Sequence, residues 1–385
     1  MTQRQRRTDG GDRPAGESRR TGGTGAARRR RAVVAAAALA VAGPLAFAAA
    51  GHAGAAGTTG TARVTSAADV TGTGRWNSAA DVTGAARGNS ATDVTGAARG
   101  NRVAGAAGVA GPAGAHPIVF ARYSSAAPVE DLYAIAPGGG TPVQLTHTAA
   151  VSDVMPSWSP DGKRVAFVRY GIDGAIDGIW TMKSTGGGLK AVPGTAGASD
   201  PAWSPDGKRL AFAKPVGTQR EIFVAGVDGG SATRLTHTAA DDLHPTWSPD
   251  GDYLAFNRAD AAGHSRLMRI RLSTLAQKAI TGSGSHDWTP DWSRRNWIAF
   301  SRVDSSGVSH LYAVRPDGSA VHAITSSGFN DRSPSWSPDG RRLVFTRGGA
   351  DDADPEHLYL VGADGSAPTQ LTKTDSHDLE ADWLP

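Results

Sequence analysis

The sequence predicts an all-β protein, a six-bladed β-propeller of four-stranded antiparallel blades, and three observations predict it. The first is a motif, Pro156-Ser157-Trp158-Ser159-Pro160-Asp161-Gly162, that returns at 201–207, 245–251 and 334–340, in degenerate form at 290–300 and truncated at 381–385. Its tryptophans, Trp158, Trp203, Trp247, Trp292, Trp336 and Trp383, are spaced by 45, 44, 45, 44 and 47 residues, and self-similarity at such a period marks a repeat architecture. The second is that each unit holds four short strand-like runs, the inner ones nearly all apolar and the last short and polar. The third is the arrangement of the ends. The first unit opens at 117–120 on a second-run sequence, and the missing first run, 379–385, closes the chain. Head and tail therefore share one blade, and the ring closes without a free edge.

The elements of the second unit show the reasoning in order. A run around Trp158 comes first. Ser159-Pro160-Asp161-Gly162 then turns the chain: proline pre-sets φ, aspartate bonds nearby backbone and glycine tolerates the exit geometry. Residues 164–170 form the second run, 179–182 the third, and 189–192 the last, after the glycines 186–188. Each tryptophan is expected to wedge against the adjacent blade.

Ahead of the repeats the composition differs. Residues 1–31 hold ten arginines against three acids, and the rest of the chain carries 30 basic and 33 acidic groups, so the net charge of +4 comes from the leader. The basic balance thus gives no sign of a nucleic-acid partner. Arg28-Arg29-Arg30-Arg31, an apolar run at 32–50 and small residues after it have the layout of an export signal, or of an uncleaved anchor touching a membrane through residues 32–50. Residues 1–53 are read as that segment and 54–115 as a disordered, flexible linker too poor in apolar bulk to fold. Residues 116–385 are the propeller. The chain has no cysteine, which excludes disulfides, thiol catalysis and thiolate metal sites.

Pro-x-Trp-Ser-Pro-Asp-Gly followed by an Ala-Phe or Val-Phe pair resembles the repeat of the TolB-type propellers, also called the WD40-like or PD40 repeat, over residues 117–385. The resemblance implies a six-bladed fold and a protein-binding platform in the cell envelope. A weaker likeness reaches oligogalacturonate-lyase-like propellers, which implies channel histidines and a metal. Related propellers also cover peptidase domains, but no Gly-x-Ser-x-Gly elbow occurs in this sequence.

One repeated feature is not needed for the turns. Aspartate lies five residues before tryptophan in five units, as Asp153, Asp242, Asp287, Asp331 and Asp378, and three before it as Asp200; His244, His286 and His377 sit close by. On the loops entering the inner strands they would face one channel mouth and focus a negative potential there, or else simply order those loops by bonding backbone amides. The expectation is an exported, monomeric, non-enzymatic propeller that binds a protein, a peptide or a glycan segment at this mouth, without a cofactor or with a divalent cation. The alternative is a polysaccharide lyase or hydrolase that uses the same His and Asp residues with a metal. Asp351-Asp352-Ala353-Asp354 is similar to an oxygen-rich calcium loop, but Pro355 and the lack of a following glycine favour a solvated charge run.

Overall fold

A computed structural model describes residues 118–124, 127–348 and 355–385. The expected export segment, the linker and the acidic run at 351–354 lie outside the described residues.

The second blade is β4 (Val151–Trp158), β5 (Arg164–Gly171), β6 (Ile176–Lys183) and β7 (Lys190–Ala191), preceded in the chain by β1 (Ile118–Ser124), β2 (Ala127–Ile135) and β3 (Val143–Gln144). The third is β8 (Ser199–Trp203), β9 (Arg209–Val216), β10 (Gln219–Gly226) and β11 (Thr233–Arg234). The fourth is β12 (Asp241–Trp247), β13 (Tyr253–Ala259), β14 (Ser265–Arg271) and β15 (Gln277–Ala279). The fifth is β16 (Asp287–Trp292), β17 (Ile298–Val303), β18 (Ser309–Val314) and β19 (His322–Ala323). The sixth is β20 (Asn330–Trp336), β21 (Arg342–Gly348), β22 (His357–Gly362) and β23 (Thr369–Gln370), and β24 (His377–Trp383) ends the chain.

Each group forms a four-stranded sheet in sequence order, and β24 joins β1, β2 and β3 as the first strand of the remaining sheet. The pairing Ile118↔Trp383 and Ala121↔Leu379 knits the ends into one blade, as the sequence predicts. The first strands β4, β8, β12, β16, β20 and β24 touch one another in turn and ring a central channel.

The core lies between blades. The second strands carry Phe120, Phe167, Phe212, Phe256, Phe300 and Phe345, all fully buried. Ala166 and Ile179 of the second blade pack with Trp203, Leu210 and Phe212 of the third, and the other interfaces repeat the pattern. The tryptophans also bond across the interface: the indole N–H of Trp203 donates to Ser157 O at 3.1 Å, that of Trp247 to Ala202 O at 3.0 Å and that of Trp336 to Asp291 O at 3.2 Å. At the outer edge a threonine repeats. Thr146, Thr195, Thr236, Thr281, Thr325 and Thr372 each accept a backbone N–H of their blade's third strand.

Candidate functional site

Every first strand carries one irregularity, and it shapes the channel. Between the residue four before the tryptophan and the one just before it, the strand holds one residue more than its partner: Val154 pairs with Val168, but Ser157 pairs with Ala166. The same slip occurs in β8, β12, β16 and β20, and between β24 and β1. Proline two before the tryptophan, in five of the six strands, cannot donate to the ladder, so a bulge is where it is tolerated. The residue before it takes a left-handed φ: Met155 51°, Asp200 55°, His244 50°, Thr289 49°, Ser333 51° and Glu380 54°. For side chains with a Cβ this is strained backbone, most of all for β-branched Thr289.

One extra residue flips the face of everything before it. Asp153 pairs with Arg169 and Trp158 with Val165, so both lie on one face, whereas Ser157 lies on the other. This corrects the expectation that the repeated aspartates line a channel mouth. Asp153, Asp242, Asp287, Asp331 and Asp378 are all fully buried inside their blades. Each accepts two hydrogen bonds of 2.6–2.9 Å from one arginine, respectively Arg169, Arg258, Arg302, Arg347 and Arg122. Each guanidinium also stacks over the phenylalanine two residues before it. Burial pushes the Asp153 and Asp242 carboxyls up, against the pull of their arginines. His286 and His377 lie apart from the channel wall as well: His286 packs on His264 with centroids 5.1 Å apart, and His377 on Tyr123 at 6.0 Å.

Of the nine expected site residues, only Asp200 and His244 line the channel cavity. It has a volume of about 640 Å³ and is walled by the first strands from the bulges to the Trp-Ser-Pro-Asp-Gly turns, the end opposite to the loops that enter those strands. Its lining holds four carboxylates, Asp200, Asp291, Glu380 and Asp382, against the guanidinium of Arg294 and the imidazole of His244. Prolines and tryptophans supply the apolar remainder.

Three of these carboxylates are held by backbone N–H groups of the next blade. Asp382 Oδ2 accepts from Trp158 N at 2.7 Å, Glu380 Oε2 from Met155 N at 2.9 Å and Asp291 Oδ2 from Trp336 N at 2.7 Å. Thr246 and Ser335 hold the corresponding groups of Trp292 and Trp383. Desolvation is the largest influence on all three acids. It pushes Asp291 up to about 6, Glu380 to about 7 and Asp382 to about 7, offset only in part by those N–H donors, with Asp200 adding to the rise at Glu380 and Asp291 to that at Asp382.

Asp200 differs. It is 7% exposed and its Oδ2 accepts from Ser199, but its Oδ1 has no hydrogen-bond partner. Oδ1 lies 3.4 Å from His244 Nε2, and His244 Nδ1 is 2.7 Å from Asn257 Oδ1. The wall is therefore an array of proton-binding and cation-attracting groups over an apolar floor. Among the described residues no group of three His, Asp or Glu side chains is disposed to hold a metal ion, so the donor set does not fit the metal centre that the lyase alternative needs.

Sequence reasoning missed Met155, Thr289, Ser333, Glu380, Asp291, Asp382 and Asn257. For all of them but Asn257, which lies on β13, the available signal was position: three and one before the tryptophan, around the proline. It also missed the arginines, although Phe-x-Arg recurs in five units, with Phe212-Ala213-Lys214 the exception.

The chain matches the TolB beta propeller domain family, PD40, over residues 118–385. No curated protein matches it. Among solved structures it is similar to TolB from Acinetobacter baumannii, at 21% identity over 70% of this chain and 67% of that one, with a TM-score of 0.60. It is also similar to the putative TolB of Agrobacterium tumefaciens, at 20% identity over 70% and 99% of the two chains, with a TM-score of 0.54. At such identities the likeness is one of fold.

Proposed function

The chain belongs to the TolB β-propeller family, and we propose that it is a binding module whose channel receives a cationic peptide segment of a protein partner. One observation carries this reading: a cavity of about 640 Å³ whose wall, among the described residues, places Asp200, Asp291, Glu380 and Asp382 against the one guanidinium of Arg294. A low-dielectric cleft of one sign focuses its field on ligands of the other. The tryptophans and prolines between the acids offer surface for the aliphatic stems of lysine or arginine. The carboxylates raised toward neutrality would ionise as the ligand's charge arrives, so that binding releases protons.

Calorimetric titration of the protein with short peptides tests this. Lysine- or arginine-bearing peptides should bind, more tightly at 20 mM than at 500 mM salt by about tenfold or more, and acidic peptides should not. Affinity that is indifferent to peptide charge, or unchanged when Asp200, Glu380 and Asp382 are all made amides, would sink the reading. Export belongs to the same proposal and rests on the arginine-led apolar run of residues 28–50. Fractionation of expressing cells tests it: full retention in the cytoplasm contradicts it.

A further inference from the structure

The first strand of each blade is an edge strand, and its outer edge faces the channel. The ladder fixes which way its main chain points. Ser159 N donates to Arg164 O, Ser204 N to Arg209 O, Ser248 N to Tyr253 O, Ser293 N to Trp297 O and Ser337 N to Arg342 O. In an antiparallel pair, successive residues alternate between bonding the partner strand and facing away from it. The N–H and C=O of the tryptophan just before each of these serines therefore point away from the second strand, toward the channel. Four of the six tryptophan N–H groups are capped by the side chain that precedes the tryptophan of the neighbouring blade. Asp382 caps Trp158 at 2.7 Å, Thr246 caps Trp292 at 3.2 Å, Asp291 caps Trp336 at 2.7 Å and Ser335 caps Trp383 at 3.1 Å.

For Trp203 and Trp247 the residues in the capping position are Ser157 and Ala202. Among the described residues, neither Trp203 N nor Trp247 N meets a side-chain acceptor. The two cases differ. Ser157 carries a hydroxyl that rotation can bring to Trp203, as Ser335 serves Trp383. Ala202 carries no acceptor. Trp247 is 5% exposed and lines the cavity together with Ala202, and a backbone donor so buried demands a partner. The wall selects the chemistry of that partner. Asp200, Asp291, Glu380 and Asp382 line the same cavity, so an anionic acceptor is repelled and a neutral carbonyl is not. The N–H and C=O of one strand residue lie on the same side, so a residue of an extended chain can exchange two hydrogen bonds with Trp247, as in strand addition. Asp200, two residues before Ala202 on β8, lines the same wall and attracts a cationic side chain of that segment.

We infer that β12 is the strand on which the channel's peptide docks. The peptide lies extended, and its main chain pairs with the N–H and C=O of Trp247 at the place where Ala202 supplies no cap. This rests on the peptide reading proposed above and adds where and how the main chain is held. Charge draws the segment in, and the pairing at Trp247 sets its register.

Two measurements on the full chain test this, both with an arginine-bearing peptide of the calorimetric titration. The first is amide hydrogen exchange read by NMR. Saturating peptide should slow exchange at Trp247 by about tenfold or more, while the amides of Trp158 and Trp336, already capped, change little. Peptide that binds and leaves exchange at Trp247 unchanged overturns the inference and leaves the functional reading standing. The second compares two variants of equal shape. Ala202→Thr supplies the hydroxyl that Thr246 supplies to Trp292, and Ala202→Val supplies none. Peptide affinity should be about three- to tenfold weaker for Ala202→Thr than for Ala202→Val, because the threonine competes for one hydrogen bond. Equal affinity for the two also overturns the inference. Peptide that binds neither the unaltered chain nor a variant refutes the functional reading, and this inference with it.

Discussion

Two positions a few residues apart along the first strands hold buried acids in different ways, and β16 and β24 carry acids at both. Five residues before the tryptophan, Asp153 and its equivalents meet a guanidinium at 2.6–2.9 Å in five blades. At the channel wall Asp291, Glu380 and Asp382 meet backbone N–H groups. The first set is neutralised inside the blade and has no valence left to offer. The second keeps its demand for positive charge and faces a cavity. The partner within reach, not the residue type, decides whether a repeated carboxylate fastens the fold or waits for a ligand.

The largest test of this difference removes a guanidinium. Arg169→Ala or Arg258→Ala leaves an unpaired carboxylate at full burial and should cost about 3–5 kcal/mol, read by denaturant unfolding; a loss below ~1 kcal/mol would erase the distinction between the two sets. Next is the channel latch. Asp382→Ala strands the N–H of Trp158 and should cost about 1–3 kcal/mol, whereas Asp382→Asn keeps an acceptor and should cost little at pH 5.

The pH dependence sharpens the comparison further. Asp291, Glu380 and Asp382 hold their protons more tightly in the folded chain than in the unfolded one, since burial raises them to about 6, about 7 and about 7. The stability they contribute is present below the ordinary carboxylate range, near pH 4, and is lost as pH rises through 6 to 7. The triple amide variant should thus gain in melting temperature over the unaltered chain at pH 8, and the gain should shrink toward zero at pH 4.5. A constant gap across that range would assign no titration to these groups. The smallest effect is expected in the third blade, which has Ala198 and Lys214 where the others have Asp and Arg, and where Lys214 bonds Gly194 O instead. Ala198→Asp with Lys214→Arg should restore the pair and change stability by less than about 1 kcal/mol, because a new buried ion pair roughly repays its own desolvation.

The blades were legible in the sequence down to the shared one, because turn residues and apolar runs are local signals and the period repeats them six times. Asp200 and His244 line the channel, but from within β8 and β12 and not from the entering loops on which the sequence reading placed them. The five other aspartates were misplaced for a definite reason. Alternation along a strand gives a residue's face only while the register is unbroken, and each first strand slips by one residue before its tryptophan. Pro156 and its equivalents were visible, but whether a proline ends a strand or is absorbed in a bulge depends on the neighbouring strand. The Asp–Arg pairs were in view as Phe-x-Arg and Asp-x4-Trp, 16 residues apart for Asp153 and Arg169, yet no separation in sequence says that two side chains meet.

The sequence by itself determined the number of blades, their four-strand build, the shared closing blade and the sites of the tight turns, all of which follow from short-range chemistry repeated at a fixed period. Only the tertiary structure decided which acids are neutralised and which line the channel. That choice depends on a one-residue slip between paired strands and on donors from the next blade, and both come into being only when strands distant in the chain are packed around a common axis.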